Sequence, residues 1–106
     1  MPRGPEAKIQ DAAVLHARKK PNGIAQKMEA GGGFPDYFYS FPASGPFLVE
    51  FKAPGKKPRP DQAKKHAELI RAGVKVYVVS GTATALRLID DMADRGYTDY
   101  PLAGAA

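Results

Sequence analysis

Asp36, Glu50 and Lys52 are the residues of this chain whose types and spacing are best suited to chemistry. They lie within FPDYFYSFPASGPFLVEFKAPG, residues 34–55, otherwise a run of aromatic and β-branched residues around a Pro/Gly turn. Two carboxylates brought together repel each other unless a cation sits between them. Asp and Glu oxygens are the hard ligands Mg²⁺ takes, with waters and substrate phosphate completing its shell. A cation held this way can activate water and neutralise charge building on a phosphodiester. A lysine on the same face can hold the attacking water or stabilise the pentavalent transition state. A glycosidase also pairs two carboxylates, but it needs neither the lysine nor basic surroundings.

Strand alternation puts these charges on one face. Odd positions Tyr37, Tyr39, Phe41, Phe47, Val49 and Phe51 are all apolar or aromatic and form the core face. Even positions Asp36, Phe38, Ser40, Leu48, Glu50 and Lys52 carry all three charges. Placing Phe41 opposite Phe47 pairs the aromatics and sets Asp36 across from Lys52, with Glu50 diagonal to Asp36. The ordinary reading of such a face is a solvated one bearing an Asp–Lys cross-strand pair. Phe38 and Leu48 on that face, and the two carboxylates together, give the alternative of a cation site.

The elements that must hold these residues can be read along the chain. PEAKIQDAAVLHARKK is a helix, with Pro5 at its first position, Glu6 in its first turn and basic residues at its end, stopped by Pro21-Asn22-Gly23. Residues 24–28 give a weak strand signal, and Gly31–Gly33 a turn. Pro60 opens a second helix that ends at Gly73. VKVYVVS is a buried strand, and a third helix begins at Thr82 or Thr84 and ends at Gly96. The tail YTDYPLAGAA has no clear period. Strands 47–52 and 74–80 are expected to be parallel neighbours bridged by helix 60–72 with right-handed connection. The expected fold class is α/β, a mixed sheet flanked by helices in αβββαβ order, in a single domain spanning residues 1–106.

With 106 residues, 43% of them hydrophobic and 25% charged, the composition is that of a small globular protein. Absence of cysteine excludes a disulfide framework, a thiolate metal site and a cysteine nucleophile, and fits a cytoplasmic setting. No apolar run is long enough to cross a bilayer, and the N-terminal MPRGPEAK lacks a signal-peptide core. A formal charge of +5 and a pI of about 9.6 point to polyanionic partners, nucleic acid first, or to a protein that is simply basic.

The sequence resembles the PD-(D/E)xK nucleases, and more closely the VRR-NUC family of virus-type replication-repair nucleases. That resemblance rests on Glu6, then Gly33-Phe34-Pro35-Asp36, then Glu50-Phe51-Lys52, then Gln62, and covers roughly residues 5–80. Tyr37 departs from it, standing where an aliphatic residue is usual. The resemblance implies the restriction-endonuclease-like core and metal-dependent cleavage of DNA. It implies that Asp36, Glu50 and the Phe51 carbonyl ligate Mg²⁺ or Mn²⁺, that Glu6 completes the acidic cluster, that Lys52 is the catalytic lysine and that Gln62 orients the site. Small members of the family are similar to Holliday junction resolvases and act as homodimers on branched DNA. Many come from phages, which implies a phage or prophage protein acting in the cytoplasm of a bacterial host.

Lys56, Lys57 and Arg59 directly follow Lys52 and are read as phosphate contacts, extended by Lys64 and Lys65. Glu6 also suits a helix N-terminus without any metal, and Gln62 suits an exposed first turn. His66, one turn beyond Gln62, reads as a partly buried helix residue or a DNA contact. His16 carries less signal, and Tyr97 and Tyr100 read as packing residues. The rival classes are a non-catalytic DNA-binding module retaining the fold, and a nuclease subunit that takes its specificity from a partner.

Overall fold

The computed structural model describes residues 4–105. Its elements are α1 (Pro5–Arg18), β1 (Ile24–Lys27), β2 (Tyr37–Phe41), β3 (Gly45–Phe51), α2 (Pro60–Arg71), β4 (Val76–Val79) and α3 (Thr82–Asp90). A π-helical turn, Asp91–Arg95, extends α3 to Gly96, which takes a left-handed conformation. Pro5 and Pro60 each open a helix, where the missing N–H costs nothing and the fixed φ suits the first turn.

The four strands form one mixed sheet in the order β1-β2-β3-β4. The first three are antiparallel, while β3 and β4 are parallel and bridged by α2; the hairpin and the parallel pair are as expected from the sequence, which assigns β1 no partner. One edge is covered by the C-terminal tail. Ala103 donates its N–H to the Val76 carbonyl at 2.7 Å, and the Tyr100 hydroxyl donates to the Val78 carbonyl at 2.7 Å. These bonds occupy backbone groups that an open edge would offer to another chain.

The odd-numbered face is the core. Tyr39, Phe41, Phe47, Val49 and Phe51 are buried there with Tyr77 and Val79 of β4, under Ile9, Ala13 and Ala17 of α1 and Ala85, Leu88 and Ile89 of α3. The small residues of α1 let the helix lie close to the aromatic rings. Phe47 stacks on Tyr39 at 5.7 Å and meets Tyr77 edge-on at 5.9 Å. Burying one such ring contributes about 1.5–3 kcal/mol. His16 Nε2 and Asp90 Oδ1 are 2.7 Å apart, and the Lys20 ammonium reaches Asp90 and Asp94, so charged clasps join α1 to the end of α3. His16 is thus a clasp between helices.

The hairpin register differs by two residues from the one expected. Tyr39 lies opposite Phe47 and Phe41 opposite Gly45, so the strand pairing continues closer to the tip. Gly45 adopts φ +70°, a left-handed conformation open to glycine, directly after the turn closed by Ser44 N–H and the Phe41 carbonyl. That tight turn starts β3 at Gly45, two residues before the strand start that the sequence predicts. A two-residue shift leaves every side chain on its expected face but changes its partner. Continuing the observed register carries Asp36 to Glu50, not to Lys52 as pairing Phe41 with Phe47 predicts.

Candidate active site

Behind the even-numbered face stands α2, and it turns what would be a solvated surface into a polar interior. Glu50 is 1% exposed and Lys52 is 9% exposed. The solvated Asp–Lys pair is therefore not what the fold contains. Glu50 is placed by the end of β3, one residue before the strand stops, where it pairs with Val78 of β4. Lys52 follows the strand end, its backbone N–H held by the Val79 carbonyl at 2.9 Å.

Asp36 arrives from the other side. The turn before it depends on Gly33, which has φ +80°; a Cβ there would sit 2.5 Å from the Asp61 carbonyl oxygen. Only glycine lets this turn lie directly against the first turn of α2. The Phe51 N–H then donates to Asp36 Oδ2 at 2.9 Å, tying the two halves of the sequence pattern together. Glu6, from the first turn of α1, completes the group. Glu6, Asp36 and Glu50 can each offer an oxygen within 4.8 Å of the others. Burial pushes the Asp36 carboxyl up to about 7, and the neighbouring Glu50 and Glu6 carboxylates add to the rise against the opposing Phe51 hydrogen bond.

Gln62 has two bonds on opposite sides. Its carbonyl accepts the Arg59 N–H at 2.9 Å, closing the start of α2, and its amide donates to Glu50 Oε2 at 3.2 Å. The Lys52 ammonium lies 3.8 Å from the same oxygen. His66, one turn further along α2 and 2% exposed, brings Nε2 to 3.7 Å from Glu50 Oε1. His66 is thus fully buried, where the sequence predicts a partly buried helix residue or a DNA contact, and its approach to Glu50 is not among those expectations. The i, i+4 spacing from Gln62 was the available signal.

The arrangement suits a divalent cation: hard carboxylate oxygens converge, one of them buried without a hydrogen-bond donor among the described residues, and burial, with like charge beside it, raises the Asp36 pKa. A cavity of about 410 Å³ lies elsewhere, between α3 and the C-terminal tail, and includes none of these carboxylates.

A model of the VRR-NUC domain matches residues 5–83, which include every one of these side chains. The chain belongs to the VRR-NUC family. The VRR-NUC match is reinforced by "Putative nuclease p44" of Acyrthosiphon pisum secondary endosymbiont phage 1, 41% identical over 76 residues, spanning 70% of this chain and 81% of that protein. A solved structure described as a VRR_NUC domain superposes with a TM-score of 0.74 at 25% identity, covering 83% of this chain and 97% of the other. This VRR-NUC chain is accordingly a nuclease with the mixed α/β fold of its family.

The basic residues flanking the VRR-NUC site divide into two groups. Lys56 and Lys57 are exposed on the loop after Lys52, and no ion pair engages them among the described residues. Arg59 pairs with Asp61 at 3.2 Å, and Lys65 with Glu68 at 2.9 Å. Lys64 is two residues from Gln62 and so points to the far side of α2, away from the carboxylates. Tyr100 packs against Tyr77, while Tyr97 is exposed under the Arg95 guanidinium, 4.2 Å from its ring centre. Among the described residues no helix is long and apolar enough to cross a membrane.

Proposed function

We propose that the protein is a Mg²⁺- or Mn²⁺-dependent DNA endonuclease acting on branched DNA of the Holliday-junction type, in the cytoplasm of a phage-bearing host cell. The observation that carries the metal-dependent reading is the buried Glu50 carboxylate converging with Asp36 and Glu6 beside an ammonium. A fold stabilised only for binding has no use for like charges kept out of water. Asp36, Glu50, Glu6 and the Phe51 carbonyl are the groups that would hold the cation. Once bound, a divalent ion supplies a Lewis acid that eases ionisation of the attacking water and offsets charge on the phosphate.

The chain's own residues do the rest. Lys52, beside Glu50 and mostly shielded from water, holds a positive charge where negative charge develops on the scissile phosphate. Gln62 keeps Glu50 from rotating away. Lys56 and Lys57 attract the DNA backbone, whereas Arg59 and Lys65, each paired with a carboxylate, and Lys64, on the far side of α2, contribute less. A two-fold homodimer would present two such sites to the two strands of a junction.

Incubating the protein with four-way junction, flap and linear duplex DNA in Mg²⁺, Mn²⁺ or EDTA tests this reading. Cleavage of the junction in either metal and none in EDTA is expected. Cleavage that survives EDTA removes the metal, and binding with no cleavage in any condition leaves a DNA-binding module.

A further inference from the structure

Among the described residues, the buried side-chain atoms without a hydrogen-bond partner are Tyr39 Oη, Glu50 Oε1 and His66 Nε2. Tyr39 lies on the core face. The other two face each other across 3.7 Å, inside the site. An orphaned buried polar group is destabilising, so two within reach of each other call for a reason. Their separation is longer than a hydrogen bond, yet a relative movement of less than about 1 Å would make one.

The neighbouring contact shows what that bond would do. Gln62 and His66 stand one turn apart on the same side of α2. Gln62 already donates to Glu50 Oε2. His66, from the same helix, brings Nε2 to 3.7 Å from Glu50 Oε1, and in the tautomer protonated there it would offer a second N–H. Two donors on the two oxygens of one carboxylate determine its rotation about the last side-chain bond, and thereby the direction of the lone pairs left for a cation. The neutral imidazole suffices for this, with its proton on Nε2.

We propose that His66 is a positioning residue, donating Nε2–H to Glu50 Oε1 so that, with Gln62, it locks the carboxylate in the orientation that takes a divalent cation. This deepens the metal-dependent reading above and rests on it. His66 touches neither substrate nor cation; it acts through Glu50. Loss of such an outer partner typically costs about 10–100-fold in metal affinity.

The test is Mn²⁺ binding to the 106-residue chain without DNA, by titration calorimetry, for the wild type, His66→Leu and His66→Gln, with circular dichroism confirming the fold. Glutamine carries an N–H₂ donor at nearly the reach of Nε2, whereas leucine fills space without one. His66→Leu is expected to bind Mn²⁺ about tenfold more weakly or worse, and His66→Gln within about threefold of the wild type. Should the leucine variant fail to fold, His66→Met serves as the apolar replacement. Wild-type affinity in the apolar variant overturns the proposal. Equal losses in the apolar variant and His66→Gln also overturn it, because a packing role would then explain both. A wild type that binds no Mn²⁺ would instead sink the metal-dependent reading itself, and this inference with it.

Discussion

The two faces of the sheet are built from the same strands and do opposite things. On the odd face, Tyr39, Phe47 and Phe51 are buried among alanines, Leu88, isoleucines and rings, and each buried contact favours the fold. On the even face, Glu50 is buried just as deeply, but among Gln62, His66, Lys52 and a second carboxylate. Taking charges out of water costs several kcal/mol per ion unless partners compensate. The lesson is a division of labour at two-residue period: one face contributes stability, and the other spends part of it to hold a charged site rigid.

The heaviest blow to this contrast falls on the core face. Phe47→Ala removes a fully buried ring that contacts Tyr39, Phe41 and Tyr77, and should cost about 3–5 kcal/mol. Chemical denaturation would register it, and a loss below about 1 kcal/mol would mean the core face is not the main source of stability.

On the opposite face the effects should separate. Lys52→Ala is expected to lower single-turnover cleavage about 10²–10³-fold while the folded population stays intact. Equal cleavage rates in variant and wild type would take Lys52 out of the chemistry.

The next effect is in pH. Asp36 holds its proton up to about 7 in the folded chain, against an ordinary value of 3.8. A carboxyl with a raised folded pKa binds protons more tightly when folded, so its contribution is present at low pH. It is lost as pH rises through about 7. In EDTA, the melting temperature should therefore fall between about pH 4 and pH 7, and Asp36→Asn should flatten that slope. An unchanged slope in the variant would assign the titration to another group.

The smallest effect belongs to Tyr39→Phe. It deletes a buried hydroxyl that has no partner, so stability should stay level or rise by up to about 1 kcal/mol. A clear loss would reveal a hidden partner for that hydroxyl.

Much of this contrast could be read from the chain. The alternation of Tyr37, Tyr39 and Phe41 with Phe38 and Ser40 gave the two faces, and Pro5, Pro60, Gly73 and Gly96 marked helix ends. The parallel pairing of β3 and β4 also followed, from the helix between them. Register was harder, because a two-residue slip preserves the faces and only the left-handed Gly45 decides between the options. Burial of the even face was not legible either. It depends on α2 lying across β3, which requires the bare backbone of Gly33 against Asp61. The pairing of Arg59 with Asp61 and of Lys65 with Glu68 likewise needs side-chain positions, so sequence order alone does not separate Arg59 from Lys56 and Lys57. The tail bonded along β4 carries no periodic pattern to announce it.

On the metal-dependent reading proposed above, the carboxylates on the even face are kept for a cation. Thermal denaturation at pH 8 with EDTA or with Mn²⁺, for wild type and Asp36→Asn, tests it most directly. The wild type should gain stability on adding Mn²⁺, by about 2.7 kcal/mol at a hundredfold excess over Kd, and the variant should gain little. No gain in the wild type, or the same gain in both, would contradict it.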